Sequence, residues 1–207
     1  MQLIGMLDSP YVRRVAISLR FLGIGFEHQS ISVFRGFEAF QRINPLVKAP
    51  TLVCDDGEVL MDSTLILDHA ESLAGARAGG KSLMPSGIAE RQHELRLIGL
   101  ALAACEKTVQ WVYERELRPA EKRHEPWVAR VLGQLSAACS ALEAELQRRP
   151  LHAGSERISQ AGVTVAVAWQ FTQSWLPSVA DAALYPALAA FAAQAEQLPE
   201  FLATPPT

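Results

Sequence analysis

The chain has 207 residues, a hydrophobic fraction of 49%, a charged fraction of 20% and a formal net charge of -3. That balance suits a globular protein with a sizeable core and excludes a disordered chain, which needs low hydrophobicity and high net charge. It gives no electrostatic basis for binding nucleic acid or an acidic membrane surface. The longest apolar runs, such as Gly162 to Trp169, fall short of a bilayer span. Met1 to Gly5 lacks a basic stretch followed by an apolar one, so no export signal and a cytoplasmic location are expected. Cys54, Cys105 and Cys139 are widely separated, with no Cys-x-x-Cys and no Cys/His spacing suited to zinc. They read as reduced thiols acting as small apolar residues, and no metal is expected.

In chain order, Gln2 to Met6 is an apolar run suited to a buried strand. Val12, Val15, Ala16, Leu19 and Leu22 recur at helical spacing, and Gly23 offers a stop. Phe26 to Ile31 alternates as a strand does, and Phe34 to Ile43 carries a weaker helical pattern closed by Asn44-Pro45. Thr51 to Cys54 and Val59 to Met61 flank Asp55-Asp56-Gly57-Glu58, a hairpin signature. Leu65, Ile66, His69 and Leu73 follow at helical spacing. The predicted order is β-α-β-α-β-β-α over residues 1–75, then a linker rich in Gly, Ala and Ser over 76–87.

Beyond it the strand signal vanishes. Leu95, Ile98, Leu102, Cys105, Val109 and Val112 mark one long helix, ended near Arg118 by Pro119. Trp127, Val131, Leu135, Leu142 and Leu146 mark a second, closed by Pro150. Val163 to Trp175 suits a buried central helix, Leu184 to Ala195 another, and Pro199 begins a short tail. Residues 88–207 therefore read as an all-helical domain.

Three segments of the first domain carry chemistry. Ser9-Pro10 opens a helix, with Ser at the cap and Pro in the first turn. Unpaired N–H groups and the positive end of the helix dipole gather there and lower the pKa of a nearby thiol. Pro50 stands directly before a strand; read by itself it is a trans proline beginning an edge strand. A cis Ala49-Pro50 bond would instead present the backbone of Ala49 to an extended peptide. Asp62-Ser63-Thr64 ends the hairpin and opens the next helix. Ser63 is expected to cap it, with the amides there suited to a carboxylate and Asp62 to an ammonium group. Those are the two ends of an α-amino acid. Taken singly, each segment is also an ordinary cap or turn.

Taken together, Ser9-Pro10-Tyr11, Asn44-Pro45-x-x-Lys48-Ala49-Pro50 and Asp62-Ser63-Thr64 resemble the glutathione site of glutathione transferases. The resemblance extends to Tyr113-Glu114-Arg115 and Leu117-Arg118-Pro119, which are similar to stretches of bacterial members. It implies the family's fold: a thioredoxin-like α/β domain followed by an all-α domain. It also implies a serine-type enzyme in which Ser9 stabilises the glutathione thiolate. Ala49 before a cis Pro50 would pair with the cysteinyl backbone, Asp62 and Ser63 would hold the γ-glutamyl end, and Lys48 would lie near the glycyl carboxylate. Tyr11 and Trp111 are candidate walls of the pocket for a small hydrophobic electrophile. Glutathione as co-substrate, no metal, and a homodimer are the implied partners. A non-catalytic glutathione-binding module and a glutathione-dependent disulfide or peroxide reductase are the alternatives.

Two departures from the family pattern stand out. Glutaredoxins resemble the first domain but carry Cys where Ser9 stands, and Ser cannot form a mixed disulfide. The family usually opens its central helix with Ser/Thr-x-x-Asp, whereas this chain has Ser159-Gln160-Ala161-Gly162. The missing acid is expected to cost about 1 kcal/mol. Arg13-Arg14 is shared with zeta-like isomerases, but their Ser-Ser-Cys start is absent.

Overall fold

The computed structural model describes residues 1–207. Its first part runs β1 (Gln2–Ile4), α1 (Pro10–Phe21), β2 (Glu27–Gln29), α2 (Phe37–Ile43), β3 (Thr51–Val53), β4 (Val59–Met61) and α3 (Ser63–Gly75). This is the order the sequence predicts. β1 stops two residues early because Gly5 adopts φ +135° and turns the chain out of the sheet. α2 starts three residues late: the Ser32 hydroxyl accepts the N–H groups of Phe34 and Arg35 and holds that stretch in a turn.

The four strands form one mixed sheet in the order β2-β1-β3-β4, with β1 parallel to β2 and the other pairs antiparallel. α1 packs against α3. Leu3, Ile4, Val12, Val15, Leu19, Leu52 and Ile66 are buried completely and form the core. The register aligns one set of strand ends: Ile4 faces Thr51, and Thr51 faces Met61. One step further along the same line stand Gly5, Pro50 and Asp62, where three chain segments leave the sheet together.

The second unit, Ser86–Gln197, is all helical: α4 (Ile88–Val112), α5 (Glu125–Arg148), α6 (Gln160–Trp175) and α7 (Pro186–Ala195). α4 runs into a π-helical turn over Tyr113–Leu117, which the Arg118 N–H closes on the Tyr113 carbonyl. α6 is buried without a break from Gln160 to Trp169 and packs on α4 and α7.

A carboxylate from elsewhere in this unit serves the start of each of three helices. Glu114 accepts the N–H of His124 before α5, Glu94 of α4 accepts that of Ala161 in α6, and Glu143 of α5 accepts those of Ala187 and Leu188 in α7. The His124 N–H, with Arg118, holds the Glu114 carboxyl below its ordinary range.

The α6 start corrects the expected cap deficit. Ser159 accepts the Gly162 N–H at 3.3 Å, and Glu94 supplies from α4 the negative charge that Gly162 lacks. Gly162 itself is required by packing, since a Cβ there would lie 2.8 Å from Ile158 Cγ1. Glu94→Ala is therefore expected to lower stability by about 1–3 kcal/mol, the cost of a buried N–H left without its acceptor. Denaturant titration of the variant checks this, and an unchanged midpoint would mean that α6 does not need the cap.

The tail departs from the sequence reading. The sequence places residues 198–207 with the helical domain, but Leu198–Thr207 groups with Met1–Pro85. The short helix α8 (Pro199–Leu202) packs on α1: Phe201 meets Phe21 edge-on, and the Arg13 guanidinium lies over the Phe201 ring. Arg13 Nε also donates to the Thr204 carbonyl at 2.8 Å.

Candidate functional site

Ser9 occupies the N-cap position of α1 with extended backbone angles, and its carbonyl accepts the Arg13 N–H. Its hydroxyl does not cap the helix. The simplest reading of a Ser-Pro start, a side-chain cap, is thus not what this serine does. A half-buried hydroxyl stands uncommitted beside the N–H groups of the first turn.

The loop before β3 is fixed from beneath. The Asn44 amide donates to Thr51 Oγ1 at 2.8 Å and accepts the Leu46 N–H at 3.0 Å, while the Thr51 hydroxyl donates to the Lys48 carbonyl at 2.7 Å. Asn44 and Thr51 are both buried. These bonds hold Val47 at φ +50°, and the Ala49-Pro50 bond is cis, not the trans form the local sequence favours when read by itself. Neither the N–H nor the C=O of Ala49 has a partner within the chain. A free main-chain donor and acceptor next to a strand can take up an added peptide strand. Lys48 is exposed.

The third segment differs in detail from expectation. Asp62, not Ser63, is the N-cap of α3: Asp62 Oδ1 accepts the Thr64 N–H at 2.8 Å with the Asp62 backbone at φ +67°. Ser63 is the first helical residue, buried, and its Oγ accepts from Arg14 Nη1 at 3.0 Å.

Side-chain contacts bind these places together. A Cβ on Gly5 would lie 2.7 Å from Val12 Cγ2 and 3.1 Å from Ala49 Cβ, so α1 and the cis-proline loop close over a bare glycine. Arg14 ties α1 to the start of α3. Gly5 and Thr51 escape a sequence reading, and Asn44 and Arg14 enter it only as letters of a motif. Their local signals, a glycine after an apolar run and an Asn-Pro pair, mark a turn without saying what it holds.

Of the two candidate pocket walls, Tyr11 lies half-buried in the first turn of α1 and Trp111 half-buried near the end of α4. The second unit carries an open groove of about 490 Å³ walled by Tyr113, Leu117, Pro119 and Trp127; Trp111 does not line it. Two of the three cysteines are held toward the thiol form. Burial pushes Cys139 up to about 11. Burial first, then Asp56, Asp55 and Glu58, raises Cys54, which lies 3.9 Å from His69 Nε2. No group of three or more His, Cys, Asp or Glu is placed to hold a metal ion, and no helix is long and apolar enough to cross a membrane.

Residues 3–78 match the family model described as the glutathione S-transferase N-terminal domain. The chain is 27% identical over 169 residues to YibF, an uncharacterised GST-like protein of Escherichia coli K12, covering 82% of this chain and 81% of that protein. A glutathione transferase family member from Pseudomonas fluorescens Pf-5, solved with bound glutathione, is 30% identical, with all of this chain and 98% of that one covered at a TM-score of 0.85. The same family member solved with bound S-(propanoic acid)-glutathione superposes over the full length of both chains, with 30% identity and a TM-score of 0.81. The thioredoxin-like sheet, the helical unit behind it in sequence and these matches agree: the chain belongs to the glutathione transferase family.

Proposed function

We propose that the protein is a serine-type glutathione transferase that activates the glutathione thiol as a thiolate for attack on a small hydrophobic electrophile. The observation that carries this reading is the meeting of three features at one end of the sheet. They are the Ser9 hydroxyl that caps nothing, the unpaired main chain of Ala49 before a cis proline, and the Asp62-Ser63 start of α3. The relative from Pseudomonas fluorescens was solved with glutathione bound and with S-(propanoic acid)-glutathione bound.

In this reading the tripeptide adds as a short strand at Ala49. Its γ-glutamyl ammonium meets the Asp62 carboxylate, its γ-glutamyl carboxylate meets the α3 start, and Lys48 faces the glycyl end. The sulfur then lies at Ser9, where a donated hydrogen bond and the start of α1 favour thiolate over thiol. The thiolate attacks the electrophilic carbon and the leaving group departs with its electron pair. Tyr11, in the first turn of α1, contacts the electrophile. A cytoplasmic homodimer acting in detoxification belongs to the same reading.

The test is calorimetric titration with reduced glutathione, followed by turnover with glutathione and 1-chloro-2,4-dinitrobenzene. Binding with turnover supports the proposal. Binding without turnover on any electrophile class overturns the enzyme in favour of a binding module. Turnover confined to hydroxyethyl disulfide overturns conjugation in favour of reduction, and absence of binding overturns the whole reading.

A further inference from the structure

We infer that Arg14 is a positioning residue of this site: its buried guanidinium fixes the Ser63 hydroxyl as a hydrogen-bond donor toward the α-carboxylate of the γ-glutamyl group. The inference rests on the glutathione-binding reading above and assigns a role to a residue that reading does not use.

A guanidinium has donors and no acceptor, whereas a hydroxyl has one donor and two acceptor sites. The 3.0 Å contact between Arg14 Nη1 and Ser63 Oγ therefore runs in one direction, from arginine to serine. One lone pair of Ser63 is occupied, and its proton is left to donate elsewhere.

The usual internal destination is closed. Ser72, Thr108, Thr164, Thr172 and Ser174 each donate to the carbonyl four residues earlier in their own helix. Ser63 is the first residue of α3, so the residue four earlier, Val59, belongs to β4 and offers no helical carbonyl. No acceptor within the chain takes the Ser63 proton.

Electrostatics point the same way. Arg14 is 2% exposed and reaches the first turn of α3, with Thr64 Oγ1 also 3.4 Å away. Its charge adds to the positive end of the α3 dipole, and both favour an anion at the helix start. Asp62 has turned one oxygen inward to the Thr64 N–H, so the acid beside this spot is already partly committed. Arg13 cannot substitute, because it points to the Thr204 carbonyl and Phe201. Adjacent arginines on α1 thus serve different ends: Arg13 holds the tail, and Arg14 orients the ligand-facing serine.

The experiment compares two ligands by calorimetry: glutathione, and 4-aminobutanoyl-cysteinylglycine, which is the same tripeptide without the α-carboxylate. Wild type is expected to prefer glutathione, and Arg14→Met to lose about ten- to a hundred-fold of that preference, the span of a hydrogen bond to a charged group. Affinity for the truncated ligand should hardly change. Arg14→Lys, a charge without the fixed fork, should fall between. Should Arg14→Met fail to fold, Arg14→Lys carries the test in a cycle with Ser63→Ala: once the hydroxyl is gone, the lysine should cost no further preference. Equal weakening of both ligands, or of neither, overturns the Arg14 role while glutathione binding by wild type stands. Wild type that binds neither ligand overturns the glutathione reading and this role with it.

Discussion

Ser9→Ala is expected to lower conjugation of 1-chloro-2,4-dinitrobenzene by about ten- to a hundred-fold at neutral pH, with the affinity for glutathione nearly unchanged. The expectation follows from an uncommitted hydroxyl. Because the Ser9 side chain caps no amide of α1, its removal leaves no helix donor newly exposed, and the fold should lose little. What is lost is a donor to the sulfur. A donor stabilises thiolate over thiol, so without it the bound thiol has a higher pKa, by about one to two units for about 1.4–3 kcal/mol. The direction fixes the pH dependence. The thiolate forms as pH rises through its pKa, so the rate of the variant should rise at higher pH than that of wild type. The two rates should approach each other in base. Rate against pH for both proteins checks this, and superimposed profiles would remove Ser9 from thiol activation.

The fold is legible because its signals are local and repeated. Strand alternation, helical spacing and the hairpin turn each mark an element on their own, and the order β-α-β-α-β-β-α needs no long-range knowledge. What is illegible depends on distant partners. The α6 cap looks deficient in sequence because a local pattern seeks its acid at Gly162, whereas the acid comes from Glu94, 67 positions away along the chain. The tail reads as the end of the helical domain because nothing near Phe201 announces Arg13 and Phe21 as its partners. The same holds within the site. Asp62 and Ser63 stand out in the sequence, but the capping falls to Asp62 and not to Ser63, although a serine at a helix start is a common cap. Only the approach of Arg14 shows that the Ser63 hydroxyl is spoken for by a charge from α1.

Gly5→Ala is expected to cost about 3 kcal/mol or more, the sum of backbone strain and crowding in a filled core. The strain arises because Gly5 sits at φ +135°, where side chains other than hydrogen are rarely accommodated. The crowding is specific. The new methyl would lie 2.7 Å from Cγ2 of Val12, a fully buried β-branched side chain with little rotamer freedom. It would also lie 3.1 Å from Ala49 Cβ, which has no rotamer at all, so relief must come from moving the cis-proline loop. Gly57 supplies the comparison: it too has positive φ, +90°, but nothing lies within 4 Å of its would-be Cβ. Gly57→Ala should show the strain alone, about 1 kcal/mol. The excess at Gly5, read from urea midpoints, measures how tightly α1 and the loop are drawn together. A displaced Ala49 should also weaken glutathione binding in the fraction of Gly5→Ala that folds, which Gly57→Ala should leave intact. Equal losses at the two glycines would show that the close approach at Gly5 does not hold the site.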